Sequence, residues 1–331
     1  YFYFGDNSQI LDSDGDSLYS YGYYLYTQTG SVIDDRAPIV EIFSPPNGQQ
    51  GVGINPRFAL RFDEPVNPVS MLNEDLQNVL FGESNRTMQY ALLAPLTALS
   101  EHTEMSPIIV DWAGNQVTSA STTFTTANGP DTTQPSVLDI SIDQSQTNVP
   151  VDFSAVFRFD EPIDPVSVTE SGVYMRDVVL GENIPITTEL SADGLVLTLT
   201  PQQALLSGRQ YYVYAYYLRD LSGNNAQNNY RYFTTGFTGD TQVPVITATT
   251  IDDGEIDVPI NARFNLRFDE SLRPFSDDSF VSLKDSNGDT IPVRVSLSRS
   301  RTLLTIVPLQ LLTPMSNYIL NVEGMQDLSG N

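Results

Sequence analysis

Acidic side chains recur at three positions along this 331-residue chain, and they are the residues whose types and spacing could do chemistry. One set heads the motif D-x-x-G-N, a second ends the tetrapeptide Arg-Phe-Asp-Glu, and a third stands shortly before a proline. The sets are Asp111, Asp220 and Asp327; Glu64, Glu161 and Glu270; and Asp35, Asp131 and Asp240. Calcium takes about six to eight oxygen ligands from carboxylates and carbonyls. The recurrence therefore predicts calcium sites where loops of successive repeats meet.

A metal-free interpretation of the same acids stays open. An aspartate at the head of D-x-x-G-N is a common turn former, and the glycine supplies the positive φ that such a turn needs. A glutamate at the end of a strand can accept backbone N–H groups from a loop without any ion. The sequence does not decide between turn architecture and calcium.

A further calcium candidate lies near the start of the chain. Asp12, Asp14 and Asp16 have the D-x-D-x-D opening of a calcium loop. The glycine and the closing glutamate of such a loop are replaced by Ser17 and Tyr23, and the stretch aligns with the D-x-x-G-N turns. Only the D-x-D-x-D opening supports these three aspartates as calcium ligands.

Other chemistries are poorly supported by the composition. There is no cysteine, which excludes disulfides, thiol catalysis and cysteine-based zinc sites. The single histidine, His102, stands in a polar stretch with no nucleophile motif near it, so we predict no catalytic residues and no enzyme activity. The net charge of −25 argues against a nucleic-acid partner. No apolar run approaches the roughly 18 residues of a membrane span.

The acids belong to a larger repeat. Arg-Phe-Asp-Glu begins at Arg61, Arg158 and Arg267, with steps of 97 and 109 residues, and D-x-x-G-N recurs with steps of 109 and 107. Pro38, Pro135 and Pro244 mark the joins and also step by 97 and 109. Markers that keep one order and nearly one period predict tandem domains of roughly 100 residues, the size of a single β-sandwich.

The run that ends in each Arg-Phe-Asp-Glu has the pattern of a strand. In the first copy Phe58, Leu60 and Phe62 share one face, while Ala59 and Arg61 take the other. A period of two is the signature of a strand with one buried face. We therefore predict an all-β protein in which this strand is central to each domain.

The repeat predicts the following division of the chain. Residues 1–33 correspond to the C-terminal strands of a preceding domain, residues 34–130 to domain 1 and residues 131–239 to domain 2. Residues 240–331 correspond to a domain 3 that stops before its last strand. Domain 1 is the shortest from Arg-Phe-Asp-Glu to D-x-x-G-N, which predicts that a hairpin is trimmed there.

The motifs resemble those of a known family. The succession Asp-Thr-x-x-Pro, Asn-Val-Pro or Asp-Val-Pro, Phe-x-Phe-Asp-Glu-Pro, Asp-Leu-Ser-Gly-Asn and Phe-Thr-Thr is similar to bacterial Ig-like domains of surface-layer proteins and adhesins. The resemblance covers residues 34–331, with Ser271 in place of the proline that follows the first two Arg-Phe-Asp-Glu copies. It implies a rod-like array of immunoglobulin-like sandwiches and leaves the function open, since such modules serve many proteins.

Two kinds of partner follow from this division. A sandwich without its last strand offers an unpaired edge to a strand from another chain. We expect the segment around Tyr23 and Leu25 to complete domain 3 of another copy, giving a head-to-tail polymer. The alternative is that the sequence is a piece of a longer array. No observation on the sequence separates the two.

Tyrosines give a second interface. Tyr212, Tyr214 and Tyr216 share one face of a predicted strand, where they could stack on a glycan or contact a cell-surface ligand, or simply line the edge of the sandwich. The sequence thus predicts an extracellular structural or adhesive protein of a bacterial cell surface or filament. The alternative is a non-catalytic glycan-binding or spacer module of a secreted polysaccharide-acting enzyme.

Overall fold

The computed structural model describes residues 33–71, 76–275 and 279–331, and the chain divides into two units, Tyr1–Arg36 and Ala37–Asn331. The candidate residues Asp12, Asp14, Asp16, Tyr23 and Leu25, and the strands expected in residues 1–32, lie outside the described residues. The names domain 1, domain 2 and domain 3 are kept below for the ranges 34–130, 131–239 and 240–331.

Domain 1 is built from two sheets. Its described strands are β1 Val40–Ser44, β2 Phe58–Phe62, β3 Leu76–Gly82, β4 Thr87–Leu92, β5 Glu101–Met105 and β6 Ser121–Thr125. Strands β1–β4 form an antiparallel sheet in the order β1-β2-β4-β3, and β5 pairs with β6 in a second sheet. The Arg-Phe-Asp-Glu strand β2 is central in the first sheet.

Domain 2 has the fullest pair of sheets. Its strands are β7 Val137–Ile140, β8 Gln146–Val149, β9 Ala155–Phe159, β10 Val173–Asp177, β11 Asn183–Ile184, β12 Ile186–Leu190, β13 Val196–Pro201, β14 Gln210–Ala215 and β15 Asn229–Thr235. One sheet has the order β12-β13-β9-β7 and the other β11-β10-β14-β15-β8. The described residues of domain 1 include no strands equivalent to β10 and β11, which are the part trimmed there.

Domain 3 repeats this plan. Its strands are β16 Ile246–Thr249, β17 Phe264–Phe268, β18 Val281–Asp285, β19 Thr290–Ile291, β20 Val293–Leu297, β21 Leu303–Pro308 and β22 Tyr318–Val322. The sheets have the orders β16-β17-β21-β20 and β19-β18-β22. Strand β22 takes the place of β14, and among the described residues it pairs only with β18.

Each domain encloses its own apolar core between its sheets. Phe157, Leu197 and Val213, from both sheets of domain 2, are fully buried in one cluster. Domains 1 and 3 have separate clusters, one around Phe58 and Tyr90 and one around Leu304. The fold is therefore a tandem series of immunoglobulin-like β-sandwiches, as the sequence predicts.

The outer face of the Arg-Phe-Asp-Glu strand departs from the prediction. Ala59 in β2 and Val156 in β9 are fully buried although they alternate with the core residues. The reason in domain 1 is that β1 and β2 pack against a 3₁₀ turn of domain 2, Pro165–Ser167. The face assigned to solvent is thus partly a contact between domains.

Helical structure is minor. The described 3₁₀ turns are Pro68–Ser70, Glu83–Asn85 and Pro165–Ser167. Within residues 33–71, 76–275 and 279–331, no helix has the length and apolar character needed to cross a membrane.

Candidate metal sites and the joins between domains

Each D-x-x-G-N motif forms a turn in which the aspartate carboxylate accepts hydrogen bonds from the residues that follow it. Asp220 accepts the backbone N–H groups of Ser222 at 2.8 Å and Asn224 at 2.9 Å on one carboxylate oxygen, and the Asn224 side chain at 2.8 Å on the other. Asp327 makes the equivalent bonds with Ser329 and Asn331. These aspartates therefore act as turn formers, as one interpretation of the sequence predicts.

The turn brings its aspartate to the two other acids that recur. Carboxylate oxygens of Asp131, Glu161 and Asp220 all lie within 4.8 Å of one another, and so do those of Asp240, Glu270 and Asp327. Antiparallel bridges from Ile163 to Asp220 and from Leu272 to Asp327 hold each aspartate beside the end of the Arg-Phe-Asp-Glu strand. Six of the acids chosen from the sequence are thus brought together in two equivalent groups of three.

The surroundings of the glutamate in each of these two groups oppose its ionisation and raise its pKa. Burial, followed by repulsion from Asp131 and Asp220, raises the pKa of Glu161 to about 7. Burial and the charges of Asp240 and Asp327 likewise raise the pKa of Glu270 to about 7. A cation among these carboxylates would remove that repulsion, and hard oxygen ligands suit calcium.

Domain 1 contributes Glu64 and Asp111 to the equivalent place. Carboxylate oxygens of Glu64 and Asp111 lie within 4.8 Å of each other. Burial alone would raise the pKa of Asp111, but hydrogen bonds from Asn115, Gly114 and Ala113 together lower it below its usual value. At Asp220 the balance is reversed, because burial outweighs the hydrogen bonds of the turn and raises the pKa.

The sequence predicts Asp35 as the linker acid of domain 1, but the residue equivalent to Asp131 and Asp240 is Asp34. Asp131 and Asp240 each stand four residues before a join proline, Pro135 or Pro244. The same count from Pro38 gives Asp34 rather than Asp35. Asp34 and Asp35 belong to the N-terminal unit, in which the Arg36 N–H donates to the Asp34 carboxylate at 3.2 Å.

The linker acids Asp131 and Asp240 are each fixed by the domain that precedes them. The Asn55 side chain accepts from the Asp131 N–H at 2.7 Å and donates to the Asp131 carbonyl at 2.8 Å. At the next join Asp152, the equivalent of Asn55, accepts from the Asp240 N–H at 3.2 Å. These bonds place the linker carboxylate at the group of three acids instead of leaving it in a free linker.

The joins also contain an apolar contact that the sequence reasoning missed. We call residues 52–57, 149–154 and 258–263 the bases of domains 1, 2 and 3. Each base also includes the leucine of its own domain that donates a backbone hydrogen bond to it. Leu221, from the turn of domain 2, is buried in the core of domain 1, and its carbonyl accepts from the Arg57 N–H at 2.8 Å. Leu328, from domain 3, is buried in the core of domain 2, and its carbonyl accepts from the Ser154 N–H at 3.0 Å. The available signal was an apolar residue directly after the aspartate of a polar turn.

Arginines add longer-range bonds across the joins. Arg61 donates to the carbonyls of Val166 and Val168 at 3.2 and 3.1 Å, and Arg219 donates to the Gln89 side chain at 2.7 Å. Between domains 2 and 3, the buried Arg301 donates to the Ile140 carbonyl at 3.1 Å. No motif in the sequence distinguished these arginines from exposed ones.

The predicted tyrosine face exists in domain 2. Tyr212, Tyr214 and Tyr216 are half-buried on one face, while Tyr211 and Val213 of the same strand are buried on the other. Rings on β10 and β15 extend the face, with centroids 4.6 Å apart for Tyr174 and Tyr214, 4.1 Å for Tyr212 and Tyr232, and 6.0 Å for Tyr214 and Tyr230. The residues of domain 3 that pair equivalently, at positions 282, 319 and 321, are Ser, Ile and Asn. The described part of domain 3 therefore has no equivalent of this tyrosine face.

Comparison with known proteins places these features in context. A family model described as bacterial Ig-like domain matches residues 131–238 and 240–331, more than half of the chain. An S-layer protein of Geobacillus stearothermophilus is 24% identical over an alignment of 173 residues, and the match covers 45% of this chain and 14% of that protein. The match therefore spans only a small part of the length of this relative.

Solved structures give weaker likenesses. The N-terminal part of the bacterial S-layer protein SbsC is 15% identical, with a TM-score of 0.27 over 57% of this chain and 44% of that one. L,D-transpeptidase 3 from Mycobacterium tuberculosis is 16% identical, with a TM-score of 0.21 over 49% of this chain and 64% of that one.

Proposed function

Since the chain belongs to the bacterial Ig-like domain family, we propose that it is a non-enzymatic structural element of a bacterial surface assembly, outside the cell, in which tandem domains transmit length and stiffness. One observation carries the proposal. The joins between domains 1 and 2 and between domains 2 and 3 are made by equivalent residues, with a docked leucine, a backbone bond and three acids at each. Joins built at equivalent positions with equivalent contacts would hold neighbouring domains at one angle, which a flexible tether between independent modules would not do. The S-layer relative supports a surface location.

Calcium is the proposed stiffening ion. Each group brings three carboxylates together, and burial, followed by repulsion from the neighbouring carboxylates, raises the pKa of Glu161 and Glu270. Calcium bound by the linker acid and by acids of the following domain would tie the linker to that domain. Removing the ion would leave the docked leucine as the main restraint at each join.

The test of the structural role is the shape of the purified chain in solution. Small-angle X-ray scattering of the full chain in calcium should give a distance distribution with a sharp, fixed maximum length. Excess chelator should broaden that distribution if calcium stiffens the joins. A broad distribution in both conditions would overturn the structural proposal. A narrow one in both would retain the rigid array and remove calcium from it.

Polymerisation is a further part of the proposal. In domain 2, β14 lies between β10 and β15, whereas its equivalent β22 pairs with β18 alone among the described residues. We propose that a strand from another copy adds to this edge, and the segment around Tyr23 and Leu25 is the candidate. Negative-stain electron microscopy tests it: filaments with a regular repeat support strand addition, and single short rods at all concentrations contradict it.

Glycan binding is the second candidate function, and the tyrosine face favours it. Six tyrosines on one face of one domain are more than the edge of a sandwich requires, and sugars stack on such rings. Binding of soluble cell-wall glycans can be measured by calorimetry on the intact chain and on the Tyr214→Ala variant, with Tyr217→Ala as the control. Binding that is lost only with Tyr214→Ala supports this role. Equal binding by both variants, or none by the intact chain, rejects it.

A further inference from the structure

Two tyrosines on the tyrosine face of domain 2 are closer to each other than the stacked pairs described above. The ring centroids of Tyr212 and Tyr232 are 4.1 Å apart, against 4.6 Å for Tyr174 and Tyr214. Tyr212 and Tyr232 are directly opposite each other on the neighbouring strands β14 and β15, and both side chains are half-buried. Backbone pairing therefore holds these two rings together from both sides.

The hydroxyls of this pair are also in contact. They share a hydrogen bond, and chiefly because of it the pKa of Tyr232 is raised above its usual value. The ring carbons at which phenols couple on oxidation are those next to the carbon that carries the hydroxyl. Two hydroxyls in hydrogen-bond contact therefore bring a coupling carbon of each ring close to one of the other ring.

Ring orientation separates this pair from the stacked one. A bond that joins two aromatic rings lies in the planes of both, so the rings must meet at their edges. Tyr174 and Tyr214 are nearly parallel, with 26° between their planes, and present faces to each other. The planes of Tyr212 and Tyr232 are tilted by 52°, which turns an edge of one ring toward the other.

The pair lies at a place where a covalent bond would have a mechanical effect. Strand β15 is the last strand of domain 2 and leads to the linker acid Asp240, so in the proposed array tension from domain 3 acts on this strand. It is held by β14 along the pairs from Gln210 to Ala215 and by β8 at Phe233 and Thr235. The chain has no cysteine, so a disulfide cannot fasten β15.

We propose that Tyr212 and Tyr232 are an oxidative cross-linking site, at which a haem peroxidase and hydrogen peroxide join the two rings by a carbon–carbon bond. Each phenol loses one electron and its hydroxyl proton, and the two phenoxyl radicals couple at the carbons next to their C–O groups. The hydrogen on each of these carbons then moves to the adjacent oxygen, which restores both hydroxyls and both aromatic rings. The two electrons and two protons reduce one hydrogen peroxide to two waters.

The cross-link closes residues 212–232 into a covalent loop. It keeps β14 and β15 together when their backbone hydrogen bonds open, and it restricts the unfolded chain as a disulfide does. Oxidised domain 2 should therefore unfold at a higher temperature, and the β15 amides should exchange more slowly with solvent. This role goes beyond the proposed function, since it needs neither a glycan nor calcium.

The test uses the full chain at low micromolar concentration, where coupling within a chain outruns coupling between chains. Horseradish peroxidase and hydrogen peroxide are added, and intact mass and blue dityrosine fluorescence are recorded. We expect a monomer that has lost two hydrogen atoms. Trypsin then separates the rings of the face, because Tyr174, Tyr230 and Tyr232 each stand alone in the peptides 159–176, 220–231 and 232–263. The expected product joins peptide 210–219 to peptide 232–263, with fragment ions that locate the bond at Tyr212.

Matched variants identify the pair. Tyr212→Phe and Tyr232→Phe keep the ring but cannot form its phenoxyl radical, so each should lower the yield of this product at least about tenfold. Tyr230→Phe is the control on the same strand and should leave the yield unchanged. The folded arrangement is tested by oxidation in urea, where the yield should also fall.

Three results would overturn the proposal. One is a main product within the chain that joins peptide 159–176 to peptide 210–219, since the stacked pair would then be the reactive one. Another is a product that forms equally well in Tyr212→Phe or in urea, and the last is cross-linking between chains alone. Thermal unfolding of each variant before oxidation checks that it is folded.

Discussion

The backbone N–H of Ser154 donates a hydrogen bond of 3.0 Å to the carbonyl oxygen of Leu328, and these two residues belong to neighbouring domains. The Leu328 side chain is 7% exposed and lies in the core of domain 2, although the residue belongs to the turn of domain 3. Arg57 and Leu221 repeat the contact one join earlier. Domains 2 and 3 thus each complete the core of the domain before them, so the stability of domains 1 and 2 depends on their successors.

The first prediction concerns this dependence. Leu328→Ala should destabilise domain 2 by about 2–3 kcal/mol, since the substitution removes buried apolar contacts and leaves a cavity. The measurement is urea unfolding together with hydrogen exchange of β9 and β14, whose protection should fall. Leu311→Ala is the control, because Leu311 is 66% exposed and its loss should change stability by less than about 0.5 kcal/mol. Unchanged exchange in domain 2 would show that the leucine does not support that core.

The period-two pattern around Arg-Phe-Asp-Glu was sufficient to predict the strand and its buried face. Phe58, Leu60 and Phe62 are all buried. In domains 2 and 3 the acids chosen by their spacing do meet, because a recurring motif places its residues equivalently in each copy, whereas Asp35 was the wrong choice in domain 1. The contacts across the joins could not be predicted in this way. Arg301 is buried against Ile140, 161 residues earlier, and nothing local to an arginine records the domain that will cover it.

The second prediction concerns Glu161, whose substitution should have opposite effects with and without calcium. Glu161→Gln removes the carboxylate that is repelled by Asp131 and Asp220, so without metal it should stabilise the chain at pH 8 by about 1 kcal/mol after allowance for solvent screening. With calcium it should be less stable than wild type, since it has lost an anionic ligand. Thermal unfolding in chelator and in calcium measures both.

The control for this crossover is Asp253→Asn, which removes one negative charge from an exposed loop away from the joins. It should show no dependence on calcium beyond that of the wild type. Glu270→Gln is an independent repeat of the test at the next join, where the same geometry recurs. If calcium raises the melting temperature of Glu161→Gln and Glu270→Gln as much as that of the wild type, neither group binds the ion.

The third prediction concerns coupling within the tyrosine face. The Tyr174 and Tyr214 rings are stacked with centroids 4.6 Å apart on neighbouring strands. A double-mutant cycle with Tyr174→Ala and Tyr214→Ala should give a coupling energy of about 0.5–1.5 kcal/mol in the free energy of unfolding. Tyr214→Phe keeps the ring and should retain most of this coupling. A coupling energy of zero would mean that the two rings do not stabilise each other and that their arrangement on the face is not fixed.

The fourth prediction concerns Asp164, a carboxyl buried beside the join of domains 1 and 2. Burial raises its pKa to about 6, although Arg219 and Arg61 act in the opposite direction. Because the folded pKa exceeds the unfolded one of 3.8, the folded chain holds a proton that the unfolded chain releases between these values. Stability therefore falls as pH rises from about 4 to 6, and the cost is fully present above pH 6.

Asp164→Asn should remove this cost without losing the cap. Asn67 caps the equivalent turn of domain 1, where its side-chain oxygen accepts from the Val69 N–H at 3.1 Å, as Asp164 accepts from Val166 at 2.9 Å. We expect the variant to be more stable than wild type by about 2 kcal/mol at pH 7.5 and nearly equal to it at pH 4. Urea unfolding across this pH range measures the difference. The converse change, Asn67→Asp, adds a carboxyl at a half-buried position, so its effect should depend less on pH. If Asp164→Asn is equally destabilising at both pH values, the charged carboxyl is a favourable partner of Arg61 and Arg219 rather than a cost of the join.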